Sequence, residues 1–139
     1  MDRYLHKAKR LDNGEWVIGS LITCEDGTCK IATSCLEGKA DEPILVCAYD
    51  VDRDTICQCT AMPDKNKKLI WENDIVKDKH GNFYKVFWQN NYYQFSWICV
   101  KSDIFSIGTK WDLWSFKSFE IEVIGNIFDN KELLESEEK

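Results

Sequence analysis

The sequence contains no long hydrophobic run and no excess of basic residues. No segment approaches the ~20 apolar residues that a membrane-spanning helix needs. Met1 to Arg10 carries several charges and no apolar stretch of the kind that a secretory signal requires. We therefore expect a soluble protein of the cytoplasm.

Acidic residues outnumber basic ones, with 24 Asp and Glu against 18 Lys and Arg, for a formal net charge of -6. Nucleic-acid affinity depends on neutralising phosphates with basic side chains, so general nucleic-acid binding is not expected, although a local basic patch is compatible with this total. Asp50, Asp52 and Asp54 alternate along the chain, and Glu120 and Glu122 add to the negative charge. An acidic inhibitor that imitates DNA is therefore one alternative function.

Catalytic motifs are missing as well. The sequence has no GxSxG elbow, no glycine-rich phosphate loop and no HExxH, and its two histidines, His6 and His80, lie in distant segments. We predict that the protein is not an enzyme and uses no cofactor.

The seven cysteines are odd in number and follow no secretory signal, so we expect reduced thiols. Cys24 and Cys29 are separated by four residues, and Cys57 and Cys59 by one. Structural zinc sites usually pair their ligands at spacings of ~2 to 4 residues and draw on nearby histidines, a pattern that this chain does not follow. No metal site is predicted.

Short β-branched and aromatic runs separated by turn dipeptides dominate the chain, and this pattern predicts a mainly antiparallel β protein. Asn13-Gly14 and Asp26-Gly27 favour positive φ and predict two hairpins. A charged connection, Asp78 to Asn82, predicts a third. With 44% apolar residues, the chain can form a single domain over residues 1–139, and any subdivision is expected near residues 50–55.

The C-terminal part predicts one more strand and a short helix. Phe119, Ile121 and Val123 alternate with acidic residues, which is typical of a strand with one buried face. Asn130 suits the N-cap of a helix that runs into the acidic tail, residues 135–139.

The strand from Phe83 to Trp88 has aromatic side chains on both faces, which indicates a central strand or one covered on both sides. Aromatic residues are common in cores and at interfaces alike. Asp74 has two interpretations, a functional carboxylate or, more commonly, a turn carboxylate that accepts backbone N–H groups. The candidate interaction surface consists of Trp71, Asp74, Trp88, Tyr92, Tyr93 and Trp97.

Three separated segments resemble one known family. Thr55 to Val76 reads TICQCTAMPDKNKKLIWENDIV, Glu122 to Leu134 reads EVIGNIFDNKELL, and Lys7 to Val17 contains DNGEWV. These resemble the YopX family, small proteins of bacteriophages and prophages, whose motifs read like TGLxDKNGKxIxxGDIV and VIGNIxxNxELL. The turn before the apolar strand Ile75-Val76 also resembles the opening of a small SH3-like barrel, which we expect in the C-terminal part.

Glycines that are usual in the family are replaced here by Ala61, Lys67 and Asn73. We interpret these positions as requirements of backbone geometry, because glycine reaches positive φ without strain. The turn from Pro63 to Lys68 must then place Asn66 or Lys67 at that angle. The signature run is accordingly predicted to shape the fold, and the functional surface to lie around it.

The resemblance implies a cytoplasmic protein of a bacterial host, of phage origin, and carries no agreed biochemical activity. The first hypothesis is a non-enzymatic interaction module that binds a host or phage protein, with homo-oligomers an open alternative. The second is a small-ligand or nucleotide-sequestering protein that counters a host signal, with aromatic residues for stacking.

Overall fold

The computed structural model describes residues 4–34 and 46–134, which form two compact units that divide between Cys59 and Thr60. The fold is mainly antiparallel β, as predicted. The strands are β1 (His6–Lys9), β2 (Trp16–Thr23), β3 (Cys29–Ser34), β4 (Val46–Val51), β5 (Cys57–Pro63), β6 (Leu69–Trp71), β7 (Asp74–Lys77), β8 (Phe83–Gln89), β9 (Gln94–Lys101), β10 (Lys110–Asp112) and β11 (Glu122–Asn126). Single 3₁₀ turns span Arg53–Thr55, Leu113–Ser115, Ser118–Glu120 and Lys131–Leu134.

In the first unit the strands lie in the order β4-β3-β2-β1, and Cys57 and Gln58 at the start of β5 pair with β1. Both predicted hairpins are present, because β1 pairs with β2 and β2 pairs with β3 in antiparallel register. Gly14 and Gly27 make the connecting turns at φ values of 73° and 87°, which glycine adopts without strain. The unit buries a small core of Ala8, Cys29, Ile31 and Val51.

In the second unit five strands lie in the order β10-β9-β8-β7-β11, with β8 at the centre as predicted. The third predicted hairpin is formed by β7 and β8, and its turn contains Gly81 at a φ of 83°. One face of this sheet carries the core of the unit. The fully buried side chains of that core include Val76, Tyr84, Val86, Trp97, Cys99 and Ile121.

The expected SH3-like barrel is not formed in the part of the chain that the structure describes. The sheet is open, with β10 at one edge and β11 at the other, and these two strands do not pair. A barrel must join its edge strands, and β10 is only three residues long. The turn before β7 therefore resembles the opening of a barrel only in its local backbone geometry.

The predicted C-terminal helix is present only as the 3₁₀ turn Lys131–Leu134. Asn130 does not cap it in the expected way, because its side-chain oxygen accepts the backbone N–H of Asn126, 3.1 Å away. The carbonyl of Asn130 instead accepts the N–H of Leu133. The tail, residues 135–139, lies outside the described residues.

The expectation that every cysteine is a free thiol is wrong for Cys47, which is disulfide-bonded. Cys24, Cys29, Cys57, Cys59 and Cys99 are free. Among the described residues, no helix has the length and apolar character to cross a membrane.

Candidate functional site

The structure separates the six candidate residues into a buried group and an exposed group. Trp71, Asp74 and Trp97 are 6%, 2% and 0% exposed. The three exposed side chains are those of Trp88, Tyr92 and Tyr93, at 37%, 67% and 82%. Only the second group is available to a partner, and we call Trp88, Tyr92 and Tyr93 the turn surface.

The buried candidates have structural contacts. The indole N–H of Trp97 donates to the carbonyl of Leu113 at 3.0 Å, and its ring meets Phe116 edge-on. A carboxylate oxygen of Asp74 accepts the backbone N–H of Trp71 at 2.8 Å. Asp74 thus closes the turn between β6 and β7, in line with the turn-carboxylate interpretation.

The turn surface lies at the connection between β8 and β9. The four residues from Asn90 to Tyr93 join the strands, and the N–H of Tyr92 donates to the carbonyl of Gln89 at 3.2 Å. Tyr93 has a φ of 51°. This left-handed conformation costs a residue with a Cβ atom ~1–2 kcal/mol, so Tyr93 is exposed on a strained backbone next to the exposed Tyr92.

An open groove of about 600 Å³ begins beside Tyr92. Its polar walls are already paired: the amide of Gln94 donates to Asp112 at 2.7 Å, and Ser96 donates to Gln89 at 2.9 Å. The groove is lined by Gln89, Tyr92, Gln94, Lys110, Trp111, Asp112 and Ser115.

The signature run adopts left-handed backbone geometry at each position where glycine is usual in the family. Ala61, Lys67 and Asn73 have φ values of 65°, 66° and 72°. Of the two residues proposed for the Pro63–Lys68 turn, Lys67 is the one at the special angle. The interpretation that these positions are geometric is confirmed.

Asp64 is the carboxylate around which the signature turn is built. It is 3% exposed and accepts the backbone N–H groups of Asn66 and Lys68 through Oδ1, and that of Val123 through Oδ2. Burial acts to raise the pKa of Asp64, but these hydrogen bonds to the charged form outweigh it, and the pKa lies below its ordinary value. The N–H of Lys65 also donates to the carbonyl of Ile121. The two family motifs are therefore joined to each other.

A second polar network, which sequence reasoning missed, organises the turn between β7 and β8. Asp78 accepts the side-chain amide of Asn82 and the hydroxyl of Tyr84, and Asn82 in turn accepts the hydroxyl of Ser102. Burial, followed by the bond to Asp78, raises the pKa of Tyr84. Because each partner is satisfied within the fold, the network has a structural role. The run from Asp78 to Asn82 predicted the turn itself, but it did not predict the hydrogen bond to the distant Ser102.

Residue Lys67 provides a test of the geometric interpretation. Lys67→Gly is expected to raise the free energy of unfolding by about 1 kcal/mol, because glycine relieves the left-handed strain at a φ of 66°. Urea unfolding followed by tryptophan fluorescence measures the change. Lys65→Gly, in the same turn at a position outside the left-handed region, is the matched control and is expected to be neutral or destabilising. Equal effects of both substitutions would contradict the interpretation.

Among residues 4–34 and 46–134, no group of three or more His, Cys, Asp or Glu residues is arranged to hold a metal ion.

The fold and the site together define a two-unit, all-β protein in which the signature residues support left-handed turns and an aromatic turn remains exposed. A family model described as YopX protein matches residues 6–135. The chain therefore belongs to the YopX family. No curated protein matches the chain.

Proposed function

We propose that this YopX-family protein is a non-enzymatic interaction module of phage origin, which binds a host or phage protein in the bacterial cytoplasm through the turn surface. The observation that carries the proposal is Tyr93, which is 82% exposed and has a φ of 51°. Its ring gains little from burial in the fold. Backbone strain at an exposed residue is characteristic of binding sites, where a partner supplies the contacts that the residue lacks in the free protein.

The composition of the turn surface supports a protein partner. Tyrosine and tryptophan combine a large apolar ring with a polar group and are frequent among the residues that dominate binding energy. Trp88 packs edge-on against Phe95, with ring centroids 5.1 Å apart, and is held in place by this contact. A rigid aromatic side chain loses little conformational entropy on binding.

Residue Tyr93 allows binding and stability to be separated. Tyr93→Asn is expected to stabilise the fold by about 1 kcal/mol, because asparagine tolerates the left-handed conformation, and to abolish capture of the partner from infected host lysate. Thermal unfolding measures the first effect, and quantitative mass spectrometry of the captured proteins measures the second.

Phe119, which the sequence pattern placed on a buried strand face, instead lies in the 3₁₀ turn Ser118–Glu120 and is 73% exposed. Phe119→Ser is the matched control, because it removes another exposed aromatic ring from outside the turn surface. It is expected to leave capture unchanged. Recovery of the same proteins with Tyr93→Asn as with the natural chain would overturn the proposal. Sedimentation of the purified protein tests for a second copy as the occupant, since a homo-oligomer built on this surface dissociates in the Tyr93→Asn variant.

The groove beside Tyr92 favours the small-ligand alternative as a second candidate. Trp111 and Tyr92 offer aromatic surfaces next to Lys110, a combination suited to an anionic ring compound such as a nucleotide. A thermal shift with nucleotides, lost in Trp111→Leu, supports this candidate. The DNA-imitating alternative gains less support, because Asp50 pairs with Lys30 and Asp52 accepts the N–H of Asp54.

A further inference from the structure

The face of the second unit's sheet opposite its core carries a patch of lysine and phenylalanine side chains. Register places Lys77 and Lys101 on either side of Phe83, and residues directly opposite one another share a face. In the next row, Lys85 lies opposite Ile98, which lies opposite Lys110. We call Lys77, Phe83, Lys85, Phe87, Lys101 and Lys110 the lysine face.

Positive charge dominates this face although the whole chain is acidic. Within residues 4–34 and 46–134, Lys85, Lys101 and Lys110 form no ion pair. Three carboxylates lie near the patch. Asp103 lines a cavity together with Lys101. Glu122 is shared by Lys77 and Lys65, with N–O distances of 3.6 and 3.4 Å, and Asp112 accepts the amide of Gln94. The patch therefore keeps a local excess of positive charge.

The two phenylalanine rings lie within reach of these charges. The ammonium group of Lys101 lies 5.2 Å from the ring centroid of Phe83, and that of Lys110 lies 5.8 Å from the centroid of Phe87. Both side chains are half-buried, and a base that stacks on either ring must displace the ammonium group that lies over it. Four residues of strand separate them by about 13 Å, and β7 to β10 span about 15 Å across the sheet.

We propose that the lysine face binds a short segment of single-stranded nucleic acid, with lysines on the phosphates and bases stacked on Phe83 and Phe87. Basic grooves with interleaved aromatic side chains are the general means of binding single strands, at sites that begin at about four nucleotides. An acidic peptide would use the lysines but would gain no stacking from the rings. The net charge of -6 argues against general affinity for nucleic acid, whereas this patch is local.

The experiment measures fluorescence anisotropy of labelled dT₁₂ and rU₁₂ with the full chain, from 20 to 200 mM salt. Binding is expected to weaken with salt at a logarithmic slope of about -3, since four lysines contribute about 0.7 each. The combined variant Lys85→Glu, Lys101→Glu and Lys110→Glu is expected to lose at least tenfold in affinity. Phe83→Leu with Phe87→Leu is expected to lose several-fold without changing the slope, because leucine removes the rings and leaves the charges.

The matched control is Lys79→Glu, Lys117→Glu and Lys131→Glu, which changes the overall charge by the same amount on exposed lysines outside the lysine face. This control is expected to keep most of the affinity. The Lys→Gln version of the test variant replaces the Lys→Glu version if circular dichroism shows that the latter does not fold. No binding at 20 mM salt, equal loss in test and control variants, or equal affinity for polyglutamate would each overturn the proposal.

Discussion

Replacing Asp64 with alanine is expected to lower the free energy of unfolding by about 4 kcal/mol, one of the two largest effects predicted for this chain. The carboxylate accepts three backbone N–H groups, from Asn66, Lys68 and Val123, at 2.8 to 2.9 Å. Alanine leaves these donors without their acceptor at a site that is 3% exposed. Urea unfolding followed by tryptophan fluorescence measures the loss. If the units unfold separately, we expect it in the transition of the second unit.

Asp64→Asn is the control for charge, because it keeps one carbonyl oxygen and the shape of the side chain. It is expected to lose about half as much stability. The pKa of Asp64 is lower in the folded protein, so its contribution is present above the unfolded pKa of about 3.9 and is lost as pH falls through the folded pKa. The difference between Asp64→Ala and the natural chain should therefore shrink below about pH 4. A variant as stable as the natural chain at pH 7 would mean that the signature aspartate is not structural.

In the first unit, Gly19→Ala is expected to lower the free energy of unfolding by about 3 kcal/mol. A Cβ atom at position 19 would lie 2.1 Å from the carbonyl oxygen of Ala32 and 3.1 Å from a methyl group of Ile31. The carbonyl belongs to the backbone of β3, which is paired with both β2 and β4. It cannot move aside without disturbing those pairings, so the strain is not relieved by a side-chain rotation.

Two other substitutions provide a comparison for the size of this loss of stability. Gly125→Ala also creates a close contact, at 2.4 Å, but with the side chain of Asn130, which can turn away at the loss of one hydrogen bond. We expect a loss of about 1 kcal/mol there. Ser20→Ala, at the exposed neighbouring position, is expected to change stability by less than about 0.5 kcal/mol. Equal stability of Gly19→Ala and Ser20→Ala would contradict the close approach of β2 and β3.

Local sequence signals predicted the strands and turns better than they predicted which residues pack against them. Asn13-Gly14 and Asp26-Gly27 specify hairpins through the φ angles that they allow, and alternating residues specify which side chains share a face of β8. The glycines usual in the family at positions 61, 67 and 73 also predicted left-handed geometry correctly. Each of these inferences depends on a residue and its immediate neighbours.

Features that depend on distant residues were not predictable in the same way. Trp88 and Tyr84 share a face of β8, yet Trp88 is 37% exposed and Tyr84 is buried, because burial depends on what packs over each end of the strand. Whether the sheet stays open depends on whether β10 pairs with β11, and no local sequence pattern indicates this. The bond from Val123 to Asp64 joins residues 59 positions apart.

That long-range bond has a consequence for the order of events during synthesis. Domains generally fold as units as the chain leaves the ribosome, with N-terminal parts first. Residues 1–59 contain β1 to β4 and the first three residues of β5. The carboxylate of Asp64, by contrast, must wait for Val123 before its hydrogen bonds are complete. The first unit is thus free to fold early in translation, whereas the signature turn acquires its final form only after β11 has been made.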